Sequence, residues 1–205
     1  MQEHDFVRVA YTGKVKETGQ HLHSEEDAPI IVGANWVIKG IDEALKELNV
    51  GEEKEFDVPP EKAFGERDTK FVKIVPEAEF KRHGQKPVPG MTINADNMIG
   101  RVLSVSSGRI TIDFNHPLAG KHLIFKVKIK EKIEKLEEKI MAVMIFHGRV
   151  PKEKIHIHVK EKETEIELPP FVIDPLFRKK AADDIIKYIG MDKVKYLEVF
   201  EKPKE

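Results

Sequence analysis

The sequence predicts an α+β protein. An antiparallel β domain wraps one short helix, a small β unit follows, and an α-β-β-α-β unit occupies the C-terminal third. Three observations carry this reading. Residues 6–15 alternate, with Val7, Val9 and Tyr11 on one face and Arg8 on the other. The stretch from Gly33 to Gly65 holds an apolar helix face at Ile41, Leu45 and Leu48, on a helix too short to stand without a sheet to pack against. Near Lys132 the apolar period changes from two to that of a helix.

Taken in order, the strand at residues 6–15 meets a turn at Thr18-Gly19. Pro29-Ile30-Ile31-Val32 reads as a second strand ending at Gly33. Val37, Ile38 and Ile41 then place three apolar side chains around Gly40 where the helix begins. Asp42 and Glu43 favour its first turn through the helix dipole, and Gly51 suits the left-handed position beyond its end. Residues 54–58 form a third strand, which Pro59-Pro60 terminates. From Phe71 the pattern changes. A strand at 71–75 leads to a Pro76 turn and a polar connection at 81–86. Short β segments follow at 91–93, 99–105 and 109–114. Leu123, Phe125, Val127 and Ile129 share one face of the next strand, and Lys126, Lys128 and Lys130 make its other face wet.

Beyond Lys132, residues Ile133, Leu136, Ile140, Val143 and Met144 take helical spacing to about Phe146. A hairpin is expected from residues 155–159 and 164–168. Asp174-Pro175 starts a helix, with Asp as cap and Pro in the first turn. Ala182, Ile185, Ile186 and Ile189 line that helix and Gly190 ends it. A last strand at 194–200 precedes a charged tail around Pro203.

Composition narrows the function. Of 205 residues, 35 are Lys or Arg and 36 are Asp or Glu, so the formal net charge of -1 gives no global case for nucleic acid. The lysine row at 126, 128 and 130 has no interleaved aromatics, which argues for a solvated strand face. With no cysteine, disulfides, thiolate metal sites and cysteine nucleophiles are excluded. His21 and His23, like His156 and His158, lie two apart, but a pair is only half a zinc site. We read them as solvent-facing and expect neither metal nor cofactor. Abundant Lys and Glu beside few Asn, Gln and Cys fit a protein from a hot environment. No leader and no run of about 18 apolar residues is present, so a soluble, cytoplasmic protein without membrane contact is expected.

Several strings now stand together: Tyr11-Thr12-Gly13, Gly19 to Ser24, Val37-Ile38-Lys39-Gly40-Ile41-Asp42, Pro59 to Asp68, Asp113 to Gly120, and the strand bearing Phe125. In combination they resemble the peptidyl-prolyl cis-trans isomerases of the FKBP type, in particular the SlyD-like long archaeal form. The resemblance implies an FKBP-like antiparallel half-barrel from residues 1–68 and 117–133. It also implies an insert-in-flap domain at 69–116 that holds unfolded chains, and an extra C-terminal domain at 134–205. Carried over residue by residue, it implies a pocket of Tyr11, Leu22, His23, Val37, Ile38, Ile41, Phe64, His116, Leu118 and Phe125. The backbone N–H of Ile38 would donate to substrate. Two positions depart from the family's usual pattern: His23 stands where aspartate is common, and Phe64 where tyrosine often occurs. Ile41 replaces an indole frequent at the pocket floor.

The chemistry suits these residue types. Rotating a prolyl amide crosses a barrier of about 20 kcal/mol because the twisted state loses resonance. An apolar cavity that favours the twisted amide lowers it without acid, base or nucleophile. The expected activity is isomerisation of X-Pro bonds, with unfolded or nascent polypeptides as partners. Two other readings stay open. One is a holdase with weak or lost turnover, because His23 and Phe64 remove a polar rim. The other is a dimeric scaffold acting through its C-terminal part. That unit, at about 70 residues, is small for an independent core, so residues 134–205 are expected to form a homodimer.

Overall fold

In chain order the protein opens with β1 (Phe6–Val15), β2 (Glu25–Ile31), α1 (Lys39–Glu47) and β3 (Glu53–Val58). Next come β4 (Val72–Pro76), α2 (Glu77–Arg82), β5 (Thr92–Ala95), β6 (Met98–Ser106) and β7 (Arg109–Asp113). They are followed by β8 (Leu123–Lys132), α3 (Leu136–Gly148), β9 (His156–Lys160), β10 (Glu163–Leu168), α4 (Pro175–Asp184) and β11 (Lys193–Glu198). These come from a computed structural model that describes residues 1–82, 84–95, 98–148, 150–170 and 174–200. The tail around Pro203 lies outside the described residues. The class is mixed α+β, as the periodicities require.

The strands form three sheets, ordered β2-β1-β8-β3, β4-β7-β6-β5 and β11-β10-β9. All their pairings are antiparallel except β10 with β11. In the first sheet β1 is central, and both its faces are covered at its start. Val7 and Val9 turn towards α1 and join Ile30, Ile41, Leu45, Phe125 and Val127. Phe6 turns the other way and joins Ile31, Ile140, Val143, Met144 and Ile166. The sheet therefore lies between α1 on one side and α3 on the other. α3 in turn is enclosed by the third sheet and α4, which explains why it is apolar around most of its circumference.

Several elements differ from the sequence reading, each for a physical reason. β2 starts at Glu25, four residues early, because its polar half pairs with β1 across Tyr11↔Glu25. The expected polar connection after Pro76 contains α2, a single six-residue helix anchored by buried Phe80. Ile133 belongs to the link before α3 and not to the helix. Its N–H donates to the Phe6 carbonyl at 2.7 Å and its side chain is buried. Asp174 caps α4 as anticipated, accepting from the Leu176 N–H at 2.7 Å. The helix then widens into a π-turn at Ile185–Ile189. That extra residue per turn rotates the apolar face, so Ile185 is buried while Ile186 is exposed. The C-terminal unit is not closed upon itself either, since its core takes in Phe6 and Ile31.

The second sheet is inserted between β3 and β8, and its two joins meet. Asn115 Oδ1 accepts from the Asp68 N–H at 3.0 Å, and Asn115 Nδ2 donates to the Asp68 carbonyl at 2.9 Å. Arg67 and Asp113 form an ion pair at 2.7 Å beside this clamp. With Asn115 and Arg67 both on Asp113, its carboxyl is held below the usual range despite the opposing effect of burial.

Candidate functional site

Between the start of α1 and the inner face of the first sheet lies a cleft of about 510 Å³. Its formation depends on how closely the two approach. Gly40 lets α1 press directly on Val58 of β3. Across β1 and β8, Gly13 is paired with Phe125, and a methyl group on Gly13 would fall 2.5 Å from Cε1 of that ring. The missing side chain at Gly13 therefore leaves the room that the Phe125 ring occupies at the base of the cleft. Ile41, on the first turn of α1, completes the base.

The entry to α1 forms one wall. Buried Asp42 accepts from the Gly33 N–H at 2.7 Å, which ties the end of the β2 loop to the helix and holds Trp36-Val37-Ile38 at the edge. Ile38 caps the helix with extended backbone, its carbonyl accepting from the N–H groups of Ile41 and Asp42. The Ile38 N–H itself has no acceptor among the described residues. The opposite wall comes from the loop after β3. There Gly65 N–H closes on the Pro60 carbonyl at 2.8 Å, and Phe64 stacks on His116 with ring centroids 4.1 Å apart and planes 6° from parallel. His116 Nδ1 accepts from the Leu118 N–H at 3.2 Å, which shapes the turn carrying Leu118.

The cleft brings together Tyr11, Leu22, His23, Val37, Ile38, Ile41, Phe64, Leu118 and Phe125. His116 is not on its walls; it supports Phe64 from behind. The wall residue that sequence reasoning passed over is Trp36. Ile41 does take the floor where an indole is frequent, yet an indole enters the site from five residues earlier. The protein's single tryptophan beside Val37-Ile38 was the available signal.

Polar groups are few. The half-buried Tyr11 ring meets Phe125 edge-on at 6.4 Å. Burial, with a smaller effect from the Glu25 carboxylate, raises its phenol above the usual value, so the hydroxyl is neutral and able to donate at physiological pH. His23 is more exposed and contacts Glu25 Oε1 at 2.6 Å. The carboxylate comes from the start of β2. His158 likewise meets Glu167 at 3.5 Å across its hairpin. Among the described residues no three His, Asp or Glu side chains gather as a metal site. Nor is any described helix long and apolar enough to cross a membrane.

Among the described residues the walls carry no carboxylate or lysine, and their polar groups are a neutral phenol, a histidine and the Ile38 N–H, a setting suited to a small apolar group. Comparison with known proteins makes this specific. A family model described as the IF domain of FKBP26 matches residues 73–118. The chain is 36% identical over 142 residues to a short-type peptidyl-prolyl cis-trans isomerase of Methanocaldococcus jannaschii, covering 62% of this chain and 90% of that one. It is 31% identical over 156 residues to the FKBP-type isomerase SlyD of Helicobacter pylori, covering 69% and 83%. To an FKBP-type 16 kDa isomerase of Escherichia coli it is 28% identical over 138 residues, covering 64% and 93%. The chain belongs to the FKBP-type peptidyl-prolyl cis-trans isomerases.

Proposed function

We propose that the cleft over Phe125 is the isomerase site, and that it rotates X-Pro amides of polypeptide substrates by desolvation and differential binding. The observation that carries this is the cleft itself, whose walls are apolar apart from Tyr11 and His23. A prolyl ring seated on Phe125 and Ile41 brings its amide among Tyr11, Val37 and Phe64. In water the planar amide is stabilised by hydrogen bonds to a polarised carbonyl. Apolar walls remove that stabilisation, while the twisted amide, with less charge on oxygen, loses little. The Ile38 N–H holds the substrate backbone, and the Tyr11 hydroxyl is a second donor at the edge. Each 1.4 kcal/mol of preference for the twisted state is worth about tenfold in rate. No covalent intermediate or cofactor enters.

In this reading residues 1–68 and 117–133 form the half-barrel isomerase domain, 69–116 the insert-in-flap domain, and 134–205 the C-terminal domain. A chaperone role for the insert draws support from its outer face, where Ile74 and Ile99 are 65% and 70% exposed and Leu103 accompanies them. Its inner side adds a groove of about 780 Å³ lined by Phe80, Ile93, Ile112 and Phe114. A chain held weakly there presents its prolines repeatedly to the neighbouring cleft, which raises their effective concentration.

Homodimerisation through the C-terminal domain draws support from a second apolar patch. Tyr196 Oη donates to the Arg178 carbonyl at 2.8 Å, and Arg178 pairs with Glu198 at 2.5 Å, so the start of α4 lies beside the end of β11. This end exposes Leu176, Phe177, Leu197 and Phe200, the last by 73%. A surface of that kind is characteristic of an interface.

Three outcomes follow. In a protease-coupled assay on proline tetrapeptides, Phe125→Ala lowers kcat/KM by about tenfold or more, whereas Lys128→Ala, on the outer face of the same strand, leaves it unchanged. Equal losses from the two, with circular dichroism showing both folded, overturn the assignment of the cleft. Replacing residues 70–113 with a short Gly/Ser linker keeps the Asn115 clamp and His116. It costs tetrapeptide turnover only a few-fold, but slows catalysed refolding of a proline-limited protein by about a hundredfold. Parallel losses would make the insert part of the cleft wall. Light scattering of the full chain at tens of micromolar is expected to give the mass of a dimer, and a monomer mass refutes the interface.

A further inference from the structure

The cleft does not end at Trp36. On its far side lies a second groove of about 790 Å³, which shares Tyr11, His23, Trp36 and Val37 with the first. Ala28, Pro29 and Ile30 of β2 contribute to the sheet side, with the carboxylates of Glu25 and Asp27. Ile145 and Phe146 from the end of α3, with Val150 and Pro151, form the other side. The partition between the two spaces is fixed by the C-terminal part of the chain. The Trp36 indole stacks on Phe146 with centroids 3.9 Å apart and planes 3° from parallel. Its Nε1–H donates to Asp184 Oδ2 at 3.0 Å, and His147 Nε2 meets the same oxygen at 2.7 Å.

We propose that this groove is an extended subsite for the polypeptide substrate, taking the residues that flank the proline on one side and favouring apolar or aromatic side chains there. The inference rests on the cleft being the isomerase site. Continuity decides the occupant: a chain whose prolyl ring sits on Phe125 and whose flanking residues pass Trp36 enters the groove without leaving the surface. Chemistry decides its character. Ile145, Phe146, Val150 and Pro151 offer an apolar wall, against which a charged side chain would lose its hydration without gaining a partner. On the opposite rim Asp27 already engages Arg8 at 2.9 Å and Lys130 at 3.9 Å, and Glu25 engages His23, so these carboxylates are committed and the apolar wall sets the preference. The C-terminal part thus takes a direct share in choosing substrate, beyond holding Trp36 in place.

The test compares one proline tetrapeptide with versions lengthened by Phe-Leu or by Asp-Glu, placed before or after it. Burial of one apolar side chain predicts that Phe-Leu on one of the two sides lowers KM about tenfold at nearly constant kcat, while Asp-Glu on that side gives no gain. Ile145→Asp abolishes the gain yet leaves the tetrapeptide kcat/KM within about twofold. Pro151→Asp, at an exposed position, repeats the test should Ile145→Asp fold poorly. The proposal is overturned if neither extension alters KM, if acidic and apolar extensions gain equally, or if both variants retain the gain. Failure of the isomerase assignment looks different, because the unextended tetrapeptide then shows no catalysis at all.

Discussion

The closeness of α1 to the sheet governs the rest of the molecule. Two positions without side chains make it possible. Gly40 lets the helix rest on Val58, and Gly13 lets the Phe125 ring lie across β1. With Cβ atoms there, either the ring or the helix must shift, and a well-packed core resists such shifts at a cost of about 1–3 kcal/mol. The same approach leaves the helix entry, Trp36-Val37-Ile38, standing above Phe125 with an uncommitted N–H. The cleft is what remains between two surfaces that cannot come closer. Its apolar character is therefore a product of packing, with the buried Asp42 carboxylate and the Gly33 N–H fixing the helix entry.

The same sheet serves two cores, and this couples the parts of the chain. Phe6 and Val7 are adjacent residues pointing in opposite directions, one towards α3 and one towards α1. Ile30 and Ile31 repeat the arrangement on β2. The insert is attached differently, through the Asp68–Asn115 clamp and a core of its own around Ile110 and Ile112. The insert thus keeps its own core, whereas the C-terminal part shares Phe6 and Trp36 with the first sheet and the entry to α1. The lysines on the wet face of β8 fit this economy. Lys126 pairs with Glu53 and Lys130 with Asp27, and beyond the β1–β8 register shift Glu131 pairs with Arg8 at 3.1 Å, so much of the face is charge-matched. Networks of this kind contribute most at high temperature.

What was legible in the sequence was whatever depends on neighbours close in the chain. Alternation gave β1 and β8, the Asp174-Pro175 pair gave the start of α4, and the family resemblance carried by the combined strings pointed to the cleft residues other than Trp36. Contacts between distant residues were not legible. Trp36 takes its place from Phe146 and Asp184, more than a hundred positions away, and no local pattern announces that. α2 was hidden because a six-residue helix with one buried residue has no period to detect. The π-turn at Ile185–Ile189 was hidden because it breaks the period by which Ile186 had been placed inside. The parallel pairing of β10 with β11 was equally unreadable, since strand order is settled by the helix that connects them.

Exchange spectroscopy by NMR on a proline tetrapeptide, with the protein at a small fraction of its concentration, tests the central claim most directly. Uncatalysed interconversion takes tens of seconds, so acceleration is read from the cis and trans resonances without a coupling protease. The account predicts exchange fast enough to give strong cross-peaks, together with peptide-induced shifts at the amides of Val37 and Ile38 and the ring of Phe125. Shifts at those same groups while the peptide continues to exchange at its uncatalysed rate would contradict it: the cleft would then bind prolyl segments without turning them.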